Sequence, residues 1–200
     1  MLDTPLVHLI DDDEAMRTSL AFLLESAGLT NAVYPSAEAF LDQVDKARGC
    51  VITDIRMPGM SGMELVAFLK SKGTQLPIVV ITGHGDVPLA VEAMKNGVVD
   101  FLEKPFDDDV LLDAIRRALA DQKSEPANPA DSTFDTVLAA LSPRETEVLR
   151  GVVDGKANKI IAYELGISPR TVEVYRANVM AKTGARGLSD LVRMAMLAGF

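Results

Sequence analysis

Residues 50–62, CVITDIRMPGMSG, decide how the chain is read. Cys50–Asp54 is a short β-prone run that ends on a carboxylate. Ser61-Gly-Met-Glu64 then supplies a capping-box pattern, in which a hydroxyl and a carboxylate satisfy each other's backbone N–H groups at a helix start. Beyond it Leu65, Phe68 and Leu69 fall on one helical face. Strand, loop and capped helix in this order make the repeating unit of an α/β sheet.

Working outward, the same alternation fills residues 1–122. Further β-rich runs are expected at Leu6–Ile10, Ala32–Tyr34, Ile78–Thr82 and Asp100–Lys104, and helical periodicity separates them. Leu20, Leu23 and Leu24 share a face, and Asp86 can cap a helix running to Asn96. Five strands separated by helices imply a parallel sheet covered on both faces. Pro35 cannot donate to a ladder, so the second strand belongs at the edge. In open α/β sheets the functional crevice lies beyond the carboxyl ends of the strands.

Those ends carry the chemistry-bearing residues. Strand one runs into Asp11-Asp12-Asp13, strand three into Asp54, strand four into Thr82 and strand five into Lys104. Three carboxylates converging on one crevice repel unless a cation neutralises them, and Mg²⁺ suits a few carboxylates plus water. A lysine balances further charge and a threonine hydroxyl donates to an anion. Such parts suit a phosphoryl group, with Asp54 as the nucleophile forming an aspartyl phosphate. A haloacid-dehalogenase-like phosphohydrolase would need a general-acid Asp two residues after its nucleophile, and that position is Arg56.

The chain has 200 residues, 29 acidic and 20 basic, for a net charge of −9, with 48% apolar and 24% charged residues. This is globular composition, neither disordered nor collagen-like. One cysteine, Cys50, excludes an intramolecular disulfide framework; it is expected as a small core residue, and His8 as a packed strand residue. No apolar run is long enough to span a bilayer, and an acidic start with a short apolar run is unlike a secretory leader. A cytoplasmic protein that does not engage the membrane is therefore expected.

Charge is uneven along the chain: residues 1–123 carry −9, residues 124–137 carry −3 and residues 138–200 carry +3. The segment 123–136, with Pro126 and Pro129 among small polar residues, reads as a linker between domains at 1–122 and 137–200. In the last part Ser142-Pro143-Arg-Glu145 is a second capping box, opening a helix through Val153. Asn158 is expected to cap a short helix. Gly166-Ile167-Ser168 makes a turn, and Pro169 opens a helix to Lys182. Ile161, Leu165, Ile167 and Val172 are inward, and a final helix covers Leu188–Ala198. This is helix-turn-helix spacing. Spacing alone fits an ordinary helical hairpin, such as an adaptor that binds protein, as well as a DNA reader.

Taken together, Asp11-Asp12, Asp54 in TDIRMPGMSG, Thr82 in ITGHGD and Lys104-Pro105 in FLEKP resemble the receiver domain of bacterial two-component response regulators. Ser36-AEAFL, ITGHGDVPLAVEAMKNG (81–97) and SPRTVEVYRANVMAK (168–182) extend the resemblance to the FixJ/NarL family, with a LuxR-type helix-turn-helix domain. The resemblance implies a flavodoxin-like receiver with a five-stranded parallel sheet in order 2-1-3-4-5, plus a small all-α four-helix domain. It implies Asp54 as phosphoacceptor, Mg²⁺ on Asp12, Asp54 and the Arg56 main-chain carbonyl, and Asp11 acting mainly through water. Thr82 and Lys104 would meet the phosphoryl oxygens, Phe101 would be an aromatic switch, and Arg56 and His84 would tune phosphoryl lifetime. A cis Lys104-Pro105 bond is expected.

The only reactions implied are the chain's own phosphorylation and dephosphorylation, so it is not expected to be an enzyme on external substrates. Val91, Lys95 and Phe101 would mark the surface of a homodimer formed on phosphorylation. The partners implied are a FixL-like sensor histidine kinase, promoter DNA and RNA polymerase. By matching positions Glu173, Val174 and Ala177 face base edges, with Arg176 and Asn178 beside them. Asn158, Lys159, Arg170, Thr171 and Lys182 complete the DNA-binding set, most of them on phosphates.

Overall fold

A computed structural model describes residues 6–83, 87–121, 138 and 140–200. The expectations placed on His84, on Asp86 as a cap and on the linker at 123–136 lie outside the described residues, as does the start of the last domain at 137. The described residues divide into two compact units. One gathers those up to Gly83 with those from Asn96 to Asp121; the other gathers Val87–Lys95 with those from Leu138 onward.

The first unit holds β1 (Leu6–Ile10), α1 (Glu14–Ser26), β2 (Thr30–Tyr34), α2 (Ala37–Leu41), β3 (Cys50–Asp54), α3 (Gly62–Ser71) and β4 (Ile78–Thr82). After α4 (Val87–Lys95), which falls in the second unit, it continues with β5 (Asp100–Glu103) and α5 (Asp108–Asp121). All strand pairs are parallel, in the order β2-β1-β3-β4-β5. β3 and β4 are buried along their whole length, as a sheet covered on both faces requires. β2 lies at the edge and is partly exposed. It starts two residues earlier than the β-rich run suggests, because Thr30 and Asn31 pair with Leu6 and Val7. Tertiary pairing here overrides the weak strand preference of asparagine.

Alternation along the strands puts Val7, Leu9, Cys50, Ile52, Val79 and Ile81 in one core with Leu20 and Leu24 of α1 and Leu111, Ala114, Ile115 and Ala118 of α5. Cys50 is buried and its thiol is pushed up to about 12 by burial, a packing role. His8 is buried against Tyr34 and Phe40, with Nδ1 3.1 Å from the Tyr34 hydroxyl and Nε2 3.2 Å from the Arg48 carbonyl.

In the second unit the C-terminal helices are α6 (Pro143–Val153), α7 (Asn158–Leu165), α8 (Pro169–Thr183) and α9 (Leu188–Leu197). Leu141, Leu149, Val153, Val179, Ala185, Leu191 and Ala195 form their core. The capping box at Ser142 and Glu145 is present in both directions, with Pro143 in the first turn. Asn158 does not cap α7. The cap position is Ala157, and the Asn158 side-chain oxygen instead accepts a hydrogen bond from Arg176.

Candidate functional site

The carboxyl ends of four neighbouring strands bring Asp11, Asp54, Thr82 and Lys104 together. The three-acid run after β1 divides its labour. Asp13 caps α1, its Oδ1 accepting from Ala15 N at 2.8 Å and Met16 N at 3.2 Å; Asp12 is exposed; Asp11 is buried. Asp11 is fixed on every side. Its Oδ1 accepts from Asp13 N at 2.9 Å, its carbonyl accepts from Arg17 at 2.6 Å, and its Oδ2 accepts from Lys104 Nζ at 3.1 Å.

Asp54 is 8% exposed at the end of β3. Lys104 Nζ donates to its Oδ1 at 2.6 Å and the Arg56 backbone N–H donates to its Oδ2 at 2.6 Å. The lysine is carried just past β5, where Lys104 N continues the ladder to Thr82 O at 2.8 Å, and the Lys104-Pro105 bond is cis. Partial burial pulls the Lys104 pKa down, but Asp54 and then Asp11 outweigh it and raise the ammonium above its ordinary range. Thr82 is buried at the end of β4, its hydroxyl donating to Gly83 O at 3.2 Å.

Among the described residues no three His, Cys, Asp or Glu side chains are gathered closely enough to hold a metal ion. The Lys104 ammonium bridges Asp11 and Asp54, and Asp12 is exposed. The donor set still fits Mg²⁺, since carboxylates and a backbone carbonyl are the hard oxygen ligands this ion takes.

Val91 was expected on the surface of a homodimer. It is 1% exposed and its neighbours Ala90, Ala93 and Met94 are also buried, whereas Lys95 is exposed. Phe101 is already inward at 5% exposure, in a strand where Asp100 is ion-paired with Arg117. Arg17, whose guanidinium fixes the Asp11 main chain, was not legible in advance. An arginine in the second turn of a helix carries no sequence signal for such a contact.

In the second unit Gly166 ends α7 in the left-handed conformation (φ +66°), and Ser168 caps α8 by accepting from Thr171 N at 3.1 Å. α8 buries Val172, Val179 and Thr183 and presents Arg170, Glu173, Val174, Ala177 and Asn178 on an exposed strip, with Lys159 exposed on α7. Leu165 and Ile167 are only half-buried. Arg176 and Lys182 serve internal contacts. Arg176 donates to Asn158 Oδ1 at 2.9 Å, tying α8 to the start of α7. Lys182 Nζ lies 2.7 Å from Glu145 Oε2, which also accepts from Ser142 N at 2.7 Å. The Lys182 ammonium, then Ser142, hold the Glu145 carboxyl at about 2.

Two family patterns cover most of the chain: the response regulator receiver domain over residues 7–116, and the bacterial regulatory proteins of the luxR family over residues 139–195. The chain therefore belongs to the two-component response regulators that carry a LuxR-type DNA-binding domain, and it is a phosphorylation-dependent transcriptional regulator. It is 57% identical over 196 residues to the transcriptional regulatory protein FixJ of Azorhizobium caulinodans, covering 96% of this chain and 92% of that protein. It is 52% identical over 197 residues to FixJ of Bradyrhizobium diazoefficiens, covering 96% and 95%. The crystal structure of full-length FixJ from B. japonicum is similar with a TM-score of 0.55 and 52% identity, over 98% of this chain and 97% of that one. Among the described residues no helix is long and apolar enough to cross a membrane.

Proposed function

We propose that Asp54 is the phosphoacceptor and that its modification decides whether the C-terminal helices grip promoter DNA. The observation that carries this reading is the Lys104 ammonium bridging Asp54 and Asp11 at the ends of parallel strands. A carboxylate oxygen of Asp54 attacks the phosphorus of a phosphohistidine on a FixL-like sensor kinase. The new bond is O–P, the P–N bond breaks, and the imidazole leaves. Before transfer Lys104 and the Arg56 N–H orient the carboxylate. Afterwards Lys104 and the Thr82 hydroxyl meet the phosphoryl oxygens, so the charge that develops in transfer finds donors already in place. Asp11, Asp12, Asp54 and the Arg56 carbonyl would hold Mg²⁺, which when bound neutralises phosphoryl oxygens. Hydrolysis of the same bond resets the site, and no external substrate is turned over.

The exposed strip of α8 enters the major groove, with Glu173 accepting from a cytosine amino group and Val174 against a thymine methyl. Lys159, Arg170 and Thr171 meet phosphates. A phosphorylated homodimer presents two such helices to half-sites about one helical turn apart and engages RNA polymerase in the cytoplasm. Genome-wide binding with and without a phosphoryl donor tests this reading. Occupancy of discrete promoters should depend on the donor and vanish in Asp54→Asn. Equal occupancy in all three states would contradict it.

A further inference from the structure

The loop between β3 and α3 carries the Arg56 carbonyl and is anchored along its length by backbone N–H groups. Ile55 N donates to Ile81 O at 2.9 Å, Arg56 N to Asp54 Oδ2 at 2.6 Å, Ser61 N to Glu64 Oε2 at 2.8 Å and Gly62 N to Ile55 O at 3.0 Å. These partners belong to β4 or to the β3–α3 segment itself. Met60 N is different, because it donates to Glu38 Oε1 at 2.8 Å, and Glu38 stands on α2.

α2 is a firm place from which to hold a loop. Ser36 caps it by accepting from Ala39 N at 3.2 Å, and Phe40 is fully buried against His8 and Tyr34, with ring centroids 5.2 and 5.4 Å away. The loop is shaped to receive the carboxylate. Gly59 has φ +76°, a conformation glycine adopts without strain, and Glu38 Oε1 lies against it. Glu38 and Glu64 thus accept from the consecutive amides of Met60 and Ser61, despite the repulsion between two neighbouring acids.

We propose that Glu38 is a positioning residue for the phosphoacceptor loop, clamping Met60 so that the Arg56 carbonyl is presented toward the Asp54 site; this rests on the reading of Asp54 given above. Glu38 touches neither the phosphoryl group nor the metal. Its contribution is to hold residues 56–60 between two fixed points, Arg56 N on Asp54 and Met60 N on α2. Gln in its place keeps an acceptor oxygen at the same reach, whereas Ala leaves the amide to water.

The test compares full-length wild type, Glu38→Ala and Glu38→Gln. Amide hydrogen exchange is read first without metal. Exchange at Met60 should rise about tenfold in Glu38→Ala, the loss of one net charge-assisted hydrogen bond, with Glu38→Gln near wild type. Phosphorylation of Asp54 by acetyl phosphate is then followed against Mg²⁺. The half-saturating Mg²⁺ concentration should rise several-fold in Glu38→Ala, while the rate at saturating Mg²⁺ stays within about twofold, and Glu38→Gln should match the wild type in both. Unchanged exchange at Met60 would overturn the clamp. Faster exchange with an unchanged Mg²⁺ requirement would overturn the positioning role and leave Glu38 a purely structural residue. Absence of any adduct in the wild type would instead refute the reading of Asp54, and the exchange arm would still judge the clamp.

Discussion

Lys104 Nζ stands 2.6 Å from Asp54 Oδ1 and 3.1 Å from Asp11 Oδ2, so one ammonium holds two carboxylates whose side chains are only 10% and 3% exposed. Without it, two acids at adjacent strand ends would face each other in a poorly solvated crevice. On the reading proposed for Asp54, the ammonium would also meet phosphoryl oxygens there. On that reading, resting stability and signal reception would draw on the same contact.

Replacing Lys104 with Met tests that double use. The variant should lose about 1–3 kcal/mol of stability without metal, toward the lower end because Lys104 itself is partly solvated. Millimolar Mg²⁺ should restore much of the loss by binding the folded form preferentially. Chemical denaturation of the full chain with and without Mg²⁺ reads both effects. An unchanged midpoint without metal, or no response to Mg²⁺, would contradict the account.

Glu145 links stability of the C-terminal helices to pH. Lys182 and Ser142 hold its carboxyl at about 2 in the fold, below the 4.5 of an unperturbed glutamate. The unfolded chain therefore takes up a proton first. The stabilisation from this group is complete above about 4.5 and is lost as pH falls toward 2. Glu145→Gln should flatten that stretch of the stability–pH curve, measured by helical circular dichroism. An unaltered curve would show that the pair carries no linkage.

The same ion pair separates lysines that look alike in sequence. Lys182 already serves Glu145, so Lys182→Gln should leave the salt dependence of DNA affinity nearly unchanged. Lys159→Gln and Arg170→Gln should each reduce the log–log slope by about 0.9. Fluorescence anisotropy over a salt series decides it; a full unit lost in Lys182→Gln would place that ammonium on a phosphate.

Glu173 and Arg176 differ in the same way. Glu173→Ala should change affinity by about 1–3 kcal/mol at operators bearing one base pair and leave others nearly alone. Arg176→Ala and Asn158→Ala should instead couple, with an interaction energy of about 0.5 kcal/mol or more in a double-mutant cycle on stability. An equal effect of Glu173→Ala on every operator would defeat base reading, and strict additivity would defeat the brace.

Much of this was readable in the chain, for definite reasons. β1, β3 and β4 stand at their expected bounds because buried parallel strands are apolar runs bounded by turns. Both capping boxes were legible because their two partners are three residues apart. Asp11, Asp54, Thr82 and Lys104 were found because a strand end is a place as well as a sequence position. Contacts across long separations were not visible. Glu38 and Met60 are 22 residues apart, Arg176 and Asn158 are 18 apart, and Lys182 and Glu145 are 37 apart. Nothing in local propensity marks such pairs. For this reason Asn158 read as a cap when its side chain already had a partner in the fold, and the contact of Lys182 with Glu145 was not visible. Spacing likewise could not show that Asp13 caps α1 and that Asp12 is exposed.

The central claim is tested most directly by mass spectrometry of the full chain after treatment with acetyl phosphate and Mg²⁺, read alongside operator affinity of the same sample. The account predicts a single phosphoryl increment on the peptide containing Asp54, absent in Asp54→Asn, together with tighter operator binding. An unmodified Asp54 peptide, or full modification with unchanged operator affinity, would contradict it.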